Sequence, residues 1–320
     1  MKATARAHPI QGLLKYHGLA DAERNVPVHD SISLCTAPSA TTTTVEFGYD
    51  ADSCLVNGEP VDDEGADRVR TVLDIVRERA DVDTGARVQS ENSFPSNVGL
   101  GASASAYAAL ALAATDAAGI SLSTPALSAL ARRGATSAAR SVAGGFAHLR
   151  TSMDDADCTA ERIPDAFEED IRIVVGHVPE FKRTEHAHQV TPESHLFRSR
   201  LAHIHESVGD FRDAIRDGDF HRTFELAERD SLNLLAVTMT GPDGWVYWQP
   251  DTRRLLQTAR RLRDEADVPV YFSCDTGATA YLNTTAEHVD RVTDAVESLD
   301  VDTDVWRVGG PPTLLEEHLF

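Results

Sequence analysis

Between Asn92 and Leu110 the chain passes from a loop holding proline and glycine directly into an alanine-rich run. It reads Asn92-Ser-Phe-Pro95-Ser-Asn-Val-Gly99-Leu100-Gly101-Ala102-Ser103-Ala-Ser105-Ala-Tyr-Ala-Ala-Leu110. Alanine has the highest helix propensity and glycine the freest backbone, so a loop leading into a helix start is expected here. Such a junction is suited to anions. Gly99 and Gly101 let backbone amides come close, the unpaired amides of the first helical turn point outward, and the helix dipole favours negative charge. Ser103 adds a hydroxyl that can reach a phosphate oxygen or a magnesium ion. No Gly-Lys-Ser/Thr follows the glycines, so the Walker pattern is excluded. The same residues also suit a plain loop in front of an alanine-rich core helix.

The chain has 320 residues, enough for two domains packed together, and carries 51 acidic against 30 basic residues for a formal charge of -21. That charge repels nucleic acid and anionic membranes, so neither is expected as a partner. Lysine is almost missing: only Lys2, Lys15 and Lys182 occur, and arginine supplies the other cations. Excess carboxylate with depleted lysine suits a protein working in molar salt, where screening removes surface self-repulsion. A halophile's cytoplasmic protein is the expectation. Cys35, Cys54, Cys158 and Cys274 are scattered, with no Cys-x-x-Cys pair and no secretory leader ahead of them, which predicts free thiols in a reducing cytosol. The apolar stretch from Ala102 to Ala118 is broken by Ser105 and Asp116 and is too short to span a bilayer. His186 and His188 flank Ala187 without a third ligand in view, and solvated loop residues are expected there.

Along the chain, strand and helix periods alternate without repeats. Residues 31–57 read as short strands, and Glu64 to Ala80 as an amphipathic helix with Val69, Val72, Leu73 and Val76 on one face. Thr124 and Pro125 read as N-cap and first residue of a helix to about Arg133. The acidic stretch Met153 to Asp170 breaks the pattern before a strand from Ile171 to Val178, which places a domain boundary at 168/169. Long helices are expected near 192–216, 218–236 and 250–266. A strand from Val270 to Ser273 then delivers Cys274 and Asp275, and a last one from Asp304 to Val308 leads through Gly309-Gly310-Pro311-Pro312 toward the first domain. The interleaving argues α+β in both halves, 1–168 and 169–320.

Four ordered motifs carry a family resemblance that runs from about residue 4 to 315. The loop at Pro95 to Ser105 resembles the Pro-x-x-x-Gly-Leu-x-Ser-Ser-x loop of the superfamily joining galactokinase, homoserine kinase, mevalonate kinase and phosphomevalonate kinase. Lys15-Tyr16-His-Gly18, then Asn25-Val-Pro27-Val-His-Asp-Ser31-Ile-Ser33, resembles the Lys-Tyr-Trp-Gly-Lys and Asn-Leu-Pro-x-x-x-Ser-Ile-Ser of mevalonate diphosphate decarboxylases. Arg133-Gly134-Ala-Thr-Ser137-Ala-Ala-Arg140-Ser141-Val-Ala-Gly144-Gly145-Phe146 is similar to that family's Arg-x-Gly-Ser-Gly-Ser-Ala-Cys-Arg-Ser-x-x-Gly-Gly-Phe. Phe272-Ser-Cys-Asp275-Thr-Gly277-Ala stands where the family has Phe-Asp-Ala-Gly-Pro-Asn-Ala. The resemblance implies a two-domain GHMP-kinase fold, with an amino-terminal domain like the second domain of ribosomal protein S5 and a ferredoxin-like carboxy-terminal domain. A homodimer is implied as well.

The resemblance also implies a chemistry, in which ATP phosphorylates the tertiary alcohol of a 3-hydroxy acid, then phosphate and carbon dioxide leave and an alkene remains. A tertiary hydroxyl is a poor nucleophile, so it must be aligned with the γ-phosphate while its proton is accepted. Asp275 is the implied base. Lys15 is implied to lie between Asp275 and the transferring phosphate, and Arg140 to pair with the substrate carboxylate as a bidentate fork. Pro95, Gly99, Leu100, Gly101, Ala102, Ser103 and Ser105 are the implied ATP contacts, with Ser103 also reaching Mg2+. Tyr16, Ser137, Lys182 and Arg183 complete the implied substrate site. Asp-Thr-Gly is ordinary turn chemistry too, and serines near helix starts are commonly N-caps.

Departures from the family narrow the substrate. Its second lysine in Lys-Tyr-Trp-Gly-Lys is Leu19 here, the Ser-Gly pair ahead of Ser137 is Ala135-Thr136, and the Ser-Ser stretch of the second domain is Lys182-Arg183-Thr184. The family's amino-terminal asparagine has only Ile10 or Gln11 nearby, and the first serine of its phosphate loop is Ala102. The decarboxylation parts stay while the tail of the substrate site is rewritten. This resembles the phosphomevalonate decarboxylases of halophilic archaea, which take mevalonate 5-phosphate to isopentenyl phosphate. The alternatives are a decarboxylase of mevalonate 5-diphosphate, a kinase that phosphorylates the 3-hydroxyl without decarboxylation, and a nucleotide-binding module without catalysis.

Overall fold

A computed structural model of the chain describes residues 1–94, 101–179 and 190–320. Strands and helices alternate throughout, as α+β patterning requires. A first sheet of six strands runs in the order Thr313–Leu315, Lys2–Ala7, Thr41–Tyr49, Gly85–Asn92, Ser53–Val56, Glu59–Pro60. The helix Ala102–Ala117 lies on it and is buried nearly all round, which explains a composition without a polar face. Small side chains on both partners, Ala3, Ala5 and Ala7 on the strand and Ala108, Ala109 and Ala111 on the helix, share one core and allow close approach.

The helix Asp63–Ala80 starts one residue ahead of the expected Glu64. Its N-cap Asp62 accepts from the Gly65 N–H at 2.7 Å, and Val72, Leu73 and Val76 face the core as the periodicity predicts. The next helix spans Thr124–Gly134. Its N-cap is Ser123, which accepts from Ala126 N–H at 3.4 Å, one residue earlier than the expected Thr124. Gly134 ends this helix where a Cβ would stand 2.1 Å from the Tyr107 ring, so no larger residue fits without displacing the tyrosine.

A second sheet has eight strands. Seven follow the order Ala160–Arg162, Phe146–Leu149, Ser31–Ala37, Thr303–Val308, Ile171–Gly176, Ala280–Thr285, Tyr271–Cys274, and Ile10–Leu14 pairs with Ser31–Ala37 besides. The strand Thr303–Val308 joins the halves of the chain: Trp306 pairs with Ile173, while Arg307 and Val308 pair with Ala37 and Thr36. Leu315 then pairs with Thr4 in the first sheet. Residues on both sides of 168/169 therefore share one sheet, and one core cluster mixes Leu13, Leu34 and Phe146 with Ile173, Phe211 and Phe224.

The long helices are Phe197–Arg216, Phe220–Met239 and Pro250–Ala266. The first starts five residues later than expected, because Pro192 opens a separate turn of 3-10 helix at Thr191–Glu193. Asp219 caps the second by accepting from Arg222 N–H at 2.8 Å. All four cysteines are free thiols. No helix among the described residues is long and apolar enough to cross a membrane.

Surface arginines sit beside carboxylates one helical turn away, as in Arg70–Asp67, Arg229–Glu225 and Arg254–Asp251. Exposed pairs of this kind contribute at most about 1 kcal/mol each, and 51 carboxylates outnumber 30 cations. Lowering salt from about 1 M to about 0.1 M lengthens the Debye length from about 3 to about 10 Å, restoring repulsion across the surface. Melting temperature and activity are both expected to drop over that range. A flat melting temperature would contradict the reading of an acid-rich, salt-adapted surface.

Candidate active site

Two strand ends of the second sheet meet, one from its terminal strand and one from the strand that pairs off its main path. Ile10–Leu14 runs on into Lys15, and Tyr271–Cys274 runs on into Asp275. They are stitched by Gly12 N–H donating to Asp275 Oδ1 at 2.9 Å and Ser273 Oγ donating to Gly12 O at 3.1 Å. A Cβ on residue 12 would lie 2.8 Å from both Asp275 Oδ1 and Lys15 Cγ. Glycine at 12 is therefore what lets the carboxylate reach the backbone there.

Lys15 is 5% exposed, and its stem meets the same point at Gly12 as the Asp275 carboxylate. Its Nζ donates to Ser231 Oγ at 3.0 Å and lies 3.5 Å from Asp230 Oδ2, both on the helix Phe220–Met239. Asp230 is fully buried. Burial alone would raise its pKa, but the charges of Arg200 and Lys15 outweigh that and hold the carboxyl well below its usual range. A space of about 10 Å³, room for about one water, adjoins Asp275 between Ser231, Tyr247, Trp248 and Thr276.

Arg140 sits on the short helix Ala138–Ala143, 3% exposed, with its guanidinium 5.3 Å from the centre of the Tyr16 ring. Its Nε and Nη1 have no hydrogen-bond partner among the described residues. Burial lowers its pKa from the ordinary value, against an opposite pull from Tyr16, Asp275 and Cys35. A buried guanidinium with open donors is costly unless an anion completes it, and a planar fork matches a carboxylate. Burial raises the Tyr16 pKa, opposed by the charge of Arg140, a hydrogen bond with Thr136 and the charge of Arg68.

Other open donors lie close by. Ser31 and Ser33 are fully buried, with hydroxyls that have no partner among the described residues. They alternate with Ile32 and Leu34, so they share a strand face with Cys35, whose thiol lies 3.8 Å from Arg140 O. Both serines belong to the Ser-Ile-Ser motif, although the motif alone gave them no role. Arg68 on the helix Asp63–Ala80 was not expected. Its Nε donates to Gly134 O at 2.8 Å and its guanidinium stacks on Tyr107, which leaves its charge acting on Tyr16. No sequence motif marks it.

At the helix Ala102–Ala117, Gly101 is the N-cap in the left-handed region with φ 72°. A Cβ there would lie 2.8 Å from Ile10 O, so the glycine is required both by conformation and by space. Ala102 begins the helix and Ser103 is exposed on its first turn. Ser105, expected among the ATP contacts, turns inward instead. Its hydroxyl is fully buried, 2.7 Å from Thr41 Oγ1 and donating to Ala102 O at 3.2 Å, and ties the helix to the strand beneath. Ser137 precedes the helix of Arg140 and makes no side-chain capping bond. Pro95, Gly99, Leu100, Lys182 and Arg183 lie outside the described residues, as do His186 and His188. No group of three or more His, Cys, Asp or Glu able to hold a metal ion occurs among the described residues.

The arrangement brings together a carboxylate, a buried ammonium, an unsatisfied guanidinium and a tyrosine, with a glycine-capped helix start nearby. Comparison with known proteins identifies the family to which this fold belongs. Residues 7–160 match the family model of the diphosphomevalonate decarboxylase-like N-terminal domain, and residues 171–307 that of the mevalonate 5-diphosphate decarboxylase C-terminal domain. A phosphomevalonate decarboxylase of Haloferax volcanii is 58% identical over 319 residues, spanning 99% of this chain and 98% of that one. The crystal structure of mevalonate diphosphate decarboxylase from Staphylococcus aureus matches with a TM-score of 0.93 at 29% identity, over 98% of both chains. A structure described as MDDEF in complex with MVAPP, AMPPCP and magnesium matches with a TM-score of 0.92 at 29% identity, over 99% of both chains.

Proposed function

The chain belongs to the mevalonate diphosphate decarboxylase family, with that family's two-part α+β fold, and from that premise we propose that it decarboxylates mevalonate 5-phosphate to isopentenyl phosphate, using ATP. The observation that carries this reading is Arg140: a buried guanidinium with Nε and Nη1 unpartnered, beside Tyr16 and under the charge of Asp275. A substrate carboxylate placed there completes its hydrogen bonds. The tertiary hydroxyl then faces Asp275, which accepts its proton as oxygen attacks the γ-phosphate. Lys15 offsets the negative charge that gathers in that transition state. Afterwards the electron pair of the C–C bond to the carboxylate forms the alkene, carbon dioxide departs, and phosphate leaves with the electrons of the C–O bond.

The nucleotide phosphates are assigned to the helix start at Gly101, Ala102 and Ser103, with Pro95, Gly99 and Leu100 from the preceding loop. Magnesium supplies charge neutralisation between the phosphates. When bound, it would take the Ser103 hydroxyl as its protein contact. Tyr16, Ser137 and Arg68 are assigned to the phosphate end of the substrate, with Lys182 and Arg183 as further cations.

The monophosphate is favoured over the diphosphate on two grounds. The Haloferax volcanii relative at 58% identity is a phosphomevalonate decarboxylase. Leu19 and Ala135 also lack polar side chains where the diphosphate enzymes have them, and each unpaired phosphate oxygen in a desolvated pocket costs about 1 to 3 kcal/mol. The test is turnover on mevalonate, its 5-phosphate and its 5-diphosphate side by side, with products identified. A kinase would form ADP without carbon dioxide, and a binding module would turn over none of the three.

A further inference from the structure

Every polar group of Lys15 is held by one buried cluster that belongs to no assigned role. Its backbone N–H donates to Asp230 Oδ2 at 3.0 Å, its carbonyl accepts from Arg200 Nη2, and its Nζ donates to Ser231 Oγ with Asp230 Oδ2 at 3.5 Å. Arg200 is fully buried and also donates through Nη1 to Asp230 Oδ1 at 3.1 Å and to Asn233 Oδ1 at 2.6 Å. His203 Nε2 stands 3.4 Å from the same carboxylate oxygen. Ser231 also ties the cluster to the neighbouring strand, its Oγ accepting from Cys274 N–H at 3.2 Å, one residue before Asp275.

We propose that Asp230, braced by Arg200, is the positioning residue of the reaction: it fixes the Lys15 ammonium by its charge and, through Ser231, holds it in register with Asp275. Burying an arginine and an aspartate is expensive, and an apolar pair of similar volume would serve the fold as well or better. What an apolar pair would not supply is a carboxylate with one oxygen for the arginine and the other for both nitrogens of Lys15. The bonding groups converge from three elements, Phe197–Arg216, Phe220–Met239 and the end of Ile10–Leu14, so the lysine cannot shift without breaking several bonds at once. A displacement of about 1 Å at such a group costs on the order of 10²-fold in rate.

This inference rests on Lys15 acting in the reaction proposed above, and its tests separate the two. Asp230→Asn keeps the shape of the side chain and loses its charge. It is expected to lower kcat by about 10²-fold with KM for mevalonate 5-phosphate little changed. Asp230→Glu, which keeps the charge, is expected to recover part of the loss. In a Lys15→Met background Asp230→Asn is expected to cost nothing further, because it acts through the lysine. Multiplying losses, or a change confined to KM, would overturn the proposal. Should Asp230→Asn fail to fold, the parent protein decides. Only three lysines occur, so selective 15N-lysine labelling gives three side-chain signals, with Lys15 assigned by its loss in Lys15→Met. Ammonium protons are expected to be protected from solvent exchange more strongly at Lys15, 5% exposed, than at half-buried Lys2, 25% exposed. An unprotected Lys15 ammonium overturns the clamp, whereas unchanged turnover in Lys15→Met with protection intact would sink the catalytic reading and leave the clamp standing.

Discussion

Asp275→Asn is expected to leave nucleotide binding intact and to lower turnover by roughly two to four orders of magnitude, the usual range for a lost general base. The substitution is close to isosteric, and an amide oxygen still accepts the Gly12 N–H that holds Asp275 Oδ1 at 2.9 Å. Geometry is thereby preserved while the proton acceptor is removed. Nucleotide affinity is the control, since the helix start at Gly101 is reached from a different part of the chain. Activity within tenfold of the parent would remove Asp275 as the base.

Lys15→Met is expected to cost about 10² to 10³ in kcat, the range for losing a donor aimed at developing charge, with substrate affinity far less affected. The side chain keeps its length and its apolar stem, and the backbone of residue 15 can still bond Asp230 and Arg200. Asp230 also retains Arg200 as its partner, so no buried carboxylate is stranded. A loss in KM alone would move Lys15 from charge stabilisation to substrate binding.

Lys15 and Asp275 stood out as candidates because each lies in a motif, and the strand ends that carry them come together although they are far apart in the chain. Their neighbour Gly12 did not stand out, since the need for a missing Cβ emerges only when two strand ends close on each other. Ser103 and Ser105 show a reading that helix geometry could have corrected. Residues two apart on a helix point to nearly opposite sides, so with Ser103 outward, Ser105 falls inward against Thr41. The one-residue error at Ser123 has a similar origin, because either hydroxyl before Pro125 suits a cap and only the backbone turn selects one. Arg200 and Arg68 were beyond reach. Arg200 meets Lys15 across 185 positions, and Arg68 sits in an amphipathic helix where an arginine is ordinarily solvated. The joining of both halves by Thr303–Val308 was foreseen only as a return of the chain, because strand pairing at long range leaves no local mark.

The proposed reaction couples ATP cleavage to decarboxylation of a monophosphate. The direct measurement is the ratio of specificity constants for mevalonate 5-phosphate and mevalonate 5-diphosphate at matched magnesium and molar salt, with carbon dioxide and ADP counted together. At least about tenfold in favour of the monophosphate is expected, from one or more phosphate hydrogen bonds lost to Leu19 and Ala135, with one carbon dioxide per ADP and isopentenyl phosphate as product. A ratio favouring the diphosphate, or ADP formed from the monophosphate without carbon dioxide, would contradict it.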